Sequence, residues 1–443
     1  MQAGLPKPLA ILKAPIDRFF ESDSAAGILL MVAATTAMIW ANLPGLSEYY
    51  FALWNIPVSV GLSEAKLNKP LILWINDGLM AIFFFVVGLE IKREILAGKL
   101  SSMRKASLPM IAAIGGMVVP ASIFFALNPS GPGQSGWGIP MATDIAFALG
   151  IMALLGPRVP VALKIFLTAL AIVDDIGAVL VIAVFYSSDI SLWNLAIGAV
   201  FLSLMVGASA LGVRNPFIYG LLGIGGVWLS FLLSGVHATV AGVLAAFAIP
   251  ARVRIDQKEF QTVLHAAVDR FVGSSSSEPR MLSHEQQNTI DTIEGACENV
   301  QAPLQRLEHR MYPLVMYFVM PVFALANAGV AIDTNALSAA LGSVGLGIFL
   351  GLLLGKLIGV TGFTWLAIRL GLSDLPEGSR WSQVVGVALL AGVGFTMSLF
   401  IGNLAFDDPK LVDAAKIAIF AASLVAGLLG FLVLFRSGNK SPA

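Results

Sequence analysis

The sequence predicts an all-α polytopic membrane protein with twelve transmembrane helices. Of its 443 residues, 57% are apolar and only 12% are charged, whereas a soluble domain carries about 25% charged residues. The apolar residues also run in stretches of about 20, the length that an α-helix needs to cross roughly 30 Å of hydrocarbon. The composition therefore argues against a water-soluble enzyme.

The remaining composition argues against several other classes of protein. Lys plus Arg equals Asp plus Glu at 27 each, so no basic excess is available to neutralise a nucleic-acid backbone. Cys297 is the single cysteine and the four histidines are scattered, which argues against a disulfide or a Cys-based metal cluster. The chain has no glycine-rich phosphate loop ending in Gly-Lys-Ser or Gly-Lys-Thr, so we expect no ATP site and no cofactor.

Twelve apolar stretches define the elements in chain order. They lie at residues 25–43, 71–89, 107–127, 137–155, 160–186, 193–212, 216–234, 237–249, 312–332, 341–368, 382–405 and 412–435. The eighth stretch is short, and the tenth is long enough to tilt. Residues 1–24 precede the first stretch and are interpreted as a cytoplasmic amphipathic segment, not as a cleaved signal.

The basic residues sort to one side of these stretches. The N-terminal segment and the even-numbered loops hold 22 of the 27 Lys and Arg residues, and positively charged loops stay in the cytoplasm. Both termini are therefore predicted to be cytoplasmic. The polar loop at 251–311 is expected to hold one or two short amphipathic helices within a single domain spanning 1–443, and a plain linker is the alternative.

Five ionisable side chains lie well inside the predicted spans. They are Asp77, Asp144, Asp174, Asp175 and Lys356. A charge inside hydrocarbon costs about 2.5–3.5 kcal/mol on insertion scales, so such residues are functional candidates by default.

Asp174 and Asp175 are adjacent, so on a helix they project about 100° apart and feel each other's charge. Such a pair is expected to titrate as a coupled unit and to exchange protons for a monovalent cation. Oxygen ligands suit a hard ion such as Na⁺, and Thr143 with Asp144 in a neighbouring span would add a hydroxyl and a carboxylate. The alternative is a purely structural set of protonated or salt-bridged carboxylates.

Lys356 lies beside a ridge of glycines four residues apart, from Gly347 to Gly359, a pattern that lets another helix approach closely. The lysine requires a counter-ion, and Asp174, Asp175 and Asp144 are all available. Asp77 follows Asn76 in a polar notch, where a structural hydrogen-bonding role is equally compatible with the sequence.

Two predicted spans carry helix-breaking residues at their centres. The fourth contains GWGIPMATDIAFALG at 136–150 and the eleventh contains LLAGVGFTMSLF at 389–400. Paired interruptions of this kind are typical of inverted-topology repeats in secondary transporters, here spans 3–5 and 10–12, with a binding site near the midplane.

These segments give the chain a specific resemblance: it is similar, over nearly its whole length, to the bacterial sodium/proton antiporter A (NhaA) family. The segments that carry the similarity are 74–94, 142–150, 162–178, 234–242, 306–309, 323–330, 355–359 and 392–401. The resemblance implies two interrupted helices crossing at the midplane, and an electrogenic Na⁺ or Li⁺ exporter that takes up protons by alternating access and is activated at alkaline pH. It also implies a bacterial inner membrane as the location.

The resemblance assigns roles to individual residues. Asp175 would be the principal Na⁺ ligand, with Asp174 and Thr143 also at the ion, while Asp174 would exchange protons and pair with Lys356. Asp144 and Lys356 would neutralise the facing half-helix dipoles at the crossing. Whether Asp174 or Lys356 carries the second proton stays open.

The family also implies a pH-sensing group and a dimer contact. The pH-sensing residues would be Glu90, Arg93, Glu94, His237, Glu308 and His309, although a solvated helix end and a structural histidine explain several of them equally well. Gln305 stands where the family has a lysine. The external loop at 45–70 would form a hairpin that joins two protomers, and an ordinary surface loop is the alternative.

Two rival functions remain from the sequence. A sodium-coupled symporter on a similar scaffold differs in the direction of H⁺ relative to Na⁺. An intramembrane aspartyl protease also uses two aspartates, but on separate helices and with a GxGD motif that this chain lacks.

Overall fold

The computed structural model describes residues 24–62, 65–187, 189–274 and 281–438. Most of this part of the chain is helical, and its one sheet is a two-stranded hairpin. The predicted N-terminal segment, residues 1–24, lies outside the described residues except for its last residue.

The elements follow one another in this order: α1 Ala25–Asn42, α2 Ser47–Trp54, β1 Pro57–Leu62, β2 Ala65–Pro70, α3 Leu71–Ala97, α4 Met103–Leu127, a 3₁₀ segment Pro132–Met141, α5 Ile145–Leu154, α6 Val161–Phe185, α7 Leu192–Ala210, α8 Pro216–Leu232, α9 Ala238–Ala248, α10 Gln257–Gly273, α11 His284–Val300, α12 Pro303–Asn327, α13 Thr334–Ala340, α14 Ser343–Arg369, α15 Trp381–Ala391, α16 Phe395–Ala405 and α17 Pro409–Ser437.

The predicted all-helical membrane fold is confirmed. In the described residues, eight helices are long and apolar enough to cross a membrane. Two further pairs of helices, each bent at a short break, are long and apolar enough when each pair is taken as one span. The predicted seventh and eighth stretches form α8 and α9, which are apolar but shorter, so twelve complete crossings remain a prediction. α12 differs most from the expected bounds: it begins at Pro303, not at 312, because a proline at the first turn starts a helix inside the polar sequence.

The helices pack as two bundles. The crossing bundle consists of α4, α5, α6, the 3₁₀ segment and α14–α17, and the flanking bundle consists of α1, α3, α7, α8, α9 and α12. The bundles meet where α1 lies on α5, α3 on α6 and α12 on α16. Within the crossing bundle, α14 and α4 touch backbone to backbone, since a Cβ atom at Gly359 would overlap the carbonyl of Gly115.

Both predicted interruptions are bends. The 3₁₀ segment meets α5 at 40°, and α15 meets α16 at 42°. The unwound residues of the two bends lie against each other, because the Asp144 N–H donates to the Val393 carbonyl at 2.7 Å. Irregular backbone inside a membrane is tolerated where protein surrounds it, and the two bends supply that surrounding for one another.

In the described chain, three of the long helices and the shorter α8 each contain a π-helical turn. Asp77 lies in the π turn Ile75–Leu79 of α3, and Lys356 directly follows the π turn Gly351–Gly355 of α14. Such turns widen the helix locally and occur preferentially at functional sites.

The loop predicted to be external forms a hairpin, as the sequence suggested. β1 pairs antiparallel with β2, with Pro57 opposite Pro70, and residues 63–64 lie outside the described chain. The polar region at 251–311 contains α10, α11 and the first turns of α12. The end of α11 is joined to α12 by an ion pair between Glu298 and Arg306 at 2.6 Å.

Candidate functional site

The candidate site is centred on the two adjacent aspartates of α6. Asp174 and Asp175 lie in the middle of this helix, which has no break, and each is 1% exposed. The helix is continuous because aliphatic residues and alanines flank the pair on both sides. The carboxylates are therefore carried by a rigid element beside the two bent spans.

Asp174 is tied to two other spans through one of its oxygens. Its Oδ2 accepts from Lys356 Nζ at 2.5 Å and lies 2.7 Å from Thr143 Oγ1. Thr143 Oγ1 also lies 2.8 Å from the Ala391 carbonyl at the end of α15. A hydroxyl carries one hydrogen, so it can donate to only one of these two acceptors at a time. This arrangement makes the contact between Asp174 and Thr143 sensitive to where a proton resides.

The second oxygen of Asp174 differs from the first. Oδ1 is buried and has no hydrogen-bond partner in the described chain. A buried acceptor without a partner is costly, so this oxygen is available to bind a ligand.

Asp175 differs from its neighbour because no hydrogen bond or ion pair ties it to the described residues, although it is just as buried. An untied carboxylate beside a second carboxylate that keeps one oxygen unpaired is suited to receive a cation.

Asp144 joins the two bends. Its Oδ1 accepts from the Phe147 N–H at 3.0 Å and so caps α5, and its Oδ2 accepts from the Thr396 N–H at 3.1 Å in the first turn of α16. The Thr396 hydroxyl donates to the same Oδ2 at 2.5 Å. A negative charge at the start of two helices complements both positive dipole ends, so one carboxylate serves both half-helices.

Lys356 does not lie where a partner for a half-helix dipole was expected. Among the three acids available to it, the structure pairs it with Asp174, and both side chains are fully buried. The carbonyl at the end of α15 is met by Thr143, not by the lysine. The helix-end role expected for Lys356 is therefore not seen as a direct contact.

The six residues expected to sense pH divide into two places. Arg93 contacts Glu94 at 3.1 Å, Glu308 of α12 at 3.2 Å and Glu90 at 4.0 Å. His309 follows Glu308 and is exposed. These five residues form one group, where α3 meets α12.

His237 lies elsewhere, at the start of α9. Its Nε2 is 3.9 Å from Asp77, and Asp77 is 3.1 Å from Lys69 of the hairpin. Asp77 therefore fastens the hairpin to α3, which favours a structural role for it. The partner Lys69 was missed by sequence reasoning, although its position eight residues before Asp77, across the strand end, was the available signal.

The arrangement at the crossing can bind a monovalent cation and can release protons in exchange. It offers the free carboxylate of Asp175, Oδ1 of Asp174 and the Thr143 hydroxyl, which are hard oxygen ligands. No group of three or more His, Cys, Asp or Glu side chains in the described chain could hold a metal ion.

Two crossed, interrupted helices beside a buried carboxylate pair define a secondary cation transporter with a midplane site. Comparison with known proteins makes this specific: the chain belongs to the Na⁺/H⁺ antiporter 1 family, whose model matches residues 17–434. It is 51% identical over 430 residues to Na⁺/H⁺ antiporter NhaA of Oleidesulfovibrio alaskensis, covering 97% of this chain and 95% of that protein. It is 47% identical over 440 residues to Na⁺/H⁺ antiporter NhaA 2 of Syntrophotalea carbinolica, covering 98% of this chain and 99% of that protein.

Proposed function

We propose that this protein exports Na⁺, and also Li⁺, in exchange for incoming protons by alternating access at Asp174 and Asp175. The observation that carries the proposal is the unequal pair: Asp174 is held by Lys356 and Thr143, while Asp175 is buried without a tie in the described chain. The names of the relatives, all Na⁺/H⁺ antiporters, support the same exchange.

In the proposed cycle Na⁺ reaches the pair from the cytoplasm and displaces protons. Asp175 releases its proton and ligates the cation, and Oδ1 of Asp174 and the Thr143 hydroxyl complete the ligand set. The second proton leaves from the pair formed by Asp174 and Lys356, whose Nζ and Oδ2 are 2.5 Å apart. Asp144 holds the two bends together while the site changes sides.

Two protons for one Na⁺ moves one net positive charge inward per cycle. The membrane potential, about 2.3 kcal/mol per charge per 100 mV, then drives export. In proteoliposomes, an inside-negative or inside-positive potassium diffusion potential should change the initial rate of exchange in opposite directions. Equal rates under both potentials would contradict the two-to-one exchange.

The decisive test replaces the aspartates. In everted membrane vesicles, Asp175→Asn and Asp174→Asn should abolish the Na⁺-induced dissipation of a proton gradient. Asp77→Asn is the matched control, because Asp77 is also an aspartate inside a span but pairs with Lys69, away from the site; it should retain exchange. Undiminished exchange in both site variants would refute the assignment, and Na⁺ flux that leaves the proton gradient untouched would indicate a symporter.

Activation at alkaline pH is assigned to the group around Arg93. Arg93 holds Glu94 and Glu308 against each other, and Glu90 lies 4.0 Å from Arg93 in the same group. Arg93→Ala removes the guanidinium whose positive charge stabilises the ionised carboxylates beside it. The onset of exchange should therefore move to higher pH. An unchanged pH profile of the initial rate would exclude the group as the sensor.

We also propose that two protomers associate in a bacterial inner membrane through the hairpin, with both termini cytoplasmic. A two-stranded sheet has two unpaired edges, and such edges pair readily with another copy. Replacing residues 59–66 by a short Gly-Ser turn should give a monomer in detergent that still exchanges Na⁺. A dimer of unchanged size would place the contact elsewhere.

A further inference from the structure

The two bundles are joined by an aromatic side chain that the exchange chemistry does not use. Phe400 of α16 is fully buried and projects from the crossing bundle into the flanking bundle. Its ring centroid lies 5.6 Å from that of Phe84, 6.1 Å from that of Phe323 and 5.5 Å from that of His237. Phe84, Phe323 and His237 come from three different helices of the flanking bundle, so they form a socket around Phe400.

An amide contact lies one turn further along the same helix. Asn403 Nδ2 donates to Asn327 Oδ1 at 2.7 Å, and this bond also joins the two bundles. Asn327 is 2% exposed and its own amide donates to Asn76 at 2.9 Å and to the Phe323 carbonyl at 3.0 Å. Both hydrogens of the Asn327 amide are thus used within the flanking bundle, which fixes its oxygen toward Asn403.

The aromatic socket and the hydrogen-bonded amides of Asn403, Asn327 and Asn76 lie on one side of the helix crossing. Phe400 and Asn403 follow the start of α16 at Phe395 by about 7 and 12 Å of helix rise. α16 and α12 end beside the start of α3, because Asn403 is hydrogen-bonded to Asn327 and Asn327 to Asn76. The hairpin leads into α3 at this point, which is the external side in the proposed topology. Water or an ion passing between the bundles on this side meets the amides first and the rings next.

We propose that Phe400 in its socket and the bond between Asn403 and Asn327 form the external seal of the transport route, which must open each time the site faces outward. This inference rests on the proposed alternating access and adds to it the residues that hold the outer side closed. Opening removes Phe400 from its contacts with three rings and breaks the hydrogen bond between the side-chain amides of Asn403 and Asn327 inside the membrane. These residues position the bundles and do not touch the cation.

The single cysteine of the chain allows a direct test. Cys297 is exposed, so Cys297→Ala removes the only native thiol. Val87 lies one turn inward of Phe84 on the same face of α3 and is 8% exposed. In the Cys297→Ala, Val87→Cys protein, a membrane-impermeant maleimide applied from outside to right-side-out vesicles should label slowly, in proportion to the open fraction.

Asn403→Ala removes one hydrogen bond between membrane helices, whose average strength corresponds to about a threefold change in an equilibrium constant. The external labelling rate should therefore rise about threefold, and Phe400→Ala should raise it further. Labelling from the cytoplasmic side, in everted vesicles, should not rise. Because Asn403 bonds through Asn327, adding Asn403→Ala to an Asn327→Ala protein should give no additional increase.

Two matched controls lie inside the crossing bundle. Asn128 is a buried amide that joins α4 to the start of α14 through the Ser343 carbonyl, and Phe124 is a fully buried ring of α4. Asn128→Ala and Phe124→Ala should leave the external labelling rate unchanged. An unchanged rate in both Asn403→Ala and Phe400→Ala, or an equal rise in the controls, overturns the proposal.

A second measurement covers the case in which Val87→Cys impairs folding. Hydrogen–deuterium exchange of residues 395–405 should be faster in Asn403→Ala than in wild type and unaltered in Asn128→Ala. Equal exchange in the two variants also overturns the seal. Neither readout needs Na⁺ transport, so a failure of the Asp174 and Asp175 test would be distinguishable from a failure of this one.

Discussion

Replacing Asp144 should destabilise the crossing far more than the loss of an ordinary helix cap. Asp144→Ala removes acceptors from the Phe147 N–H, the Thr396 N–H and the Thr396 hydroxyl at once. Each buried donor left without a partner costs about 1–3 kcal/mol, and two helix starts each lose a cap of about 1 kcal/mol. Allowing for overlap between these contributions, the loss of stability should be about 3–6 kcal/mol.

Thermal unfolding of the purified protein in detergent measures this effect. At an unfolding entropy of about 2.1 cal/mol/K per residue, a loss of this size corresponds to a fall in Tm of about 3–6 °C in a chain of this length. Asp144→Asn keeps one acceptor oxygen and should fall between wild type and Asp144→Ala. Asp408→Ala is the control, because Asp408 caps only α17 through the Lys410 N–H and is exposed. Equal Tm values for the Asp144 and Asp408 variants would refute the reasoning.

Two further predictions concern packing within the crossing bundle. Lys356→Met leaves Asp174 buried without its counter-ion, which should cost about 3–5 kcal/mol of stability. Adding Asp174→Leu should restore much of the lost Tm. No recovery in the double variant would show that the ion pair is not the cause. Gly359→Ala places a methyl group on the Gly115 carbonyl and should cost about 1–3 kcal/mol of stability. Gly362→Ala on the same helix meets nothing within 4 Å and should leave Tm unchanged. Equal Tm values for the two alanine variants would contradict the close approach of the two helices.

The charged residues of the site were predictable because the membrane makes charge conspicuous. Asp174, Asp175 and Lys356 are functional candidates on cost alone. Composition and spacing alone could not choose the partner of Lys356 among three acids, because that choice depends on how α14 lies against α6; only the family resemblance named Asp174. The geometry resolves the choice in favour of Asp174.

Neutral polar residues gave no comparable signal. Asn327 and Asn403 lie at the ends of apolar helices, where an amide looks like an ordinary terminus in sequence, and their bond joins residues far apart in the chain. Thr396 was missed for the same reason. A threonine beside a helix break is expected to bond to nearby backbone, and only the structure shows that its hydroxyl donates to Asp144. The start of α12 was misplaced because its first turns are amphipathic, and hydropathy marks only the apolar part of a helix.

The double cap formed by Asp144 has a mechanical consequence. A single side chain holds the first turn of α5 and the first turn of α16, so it acts as a shared pivot between two half-spans from distant parts of the chain. Tilting either half-helix alone would pull its N–H groups off the common carboxylate. The two half-helices are therefore expected to tilt together, as one rigid unit around Asp144, and not independently of each other.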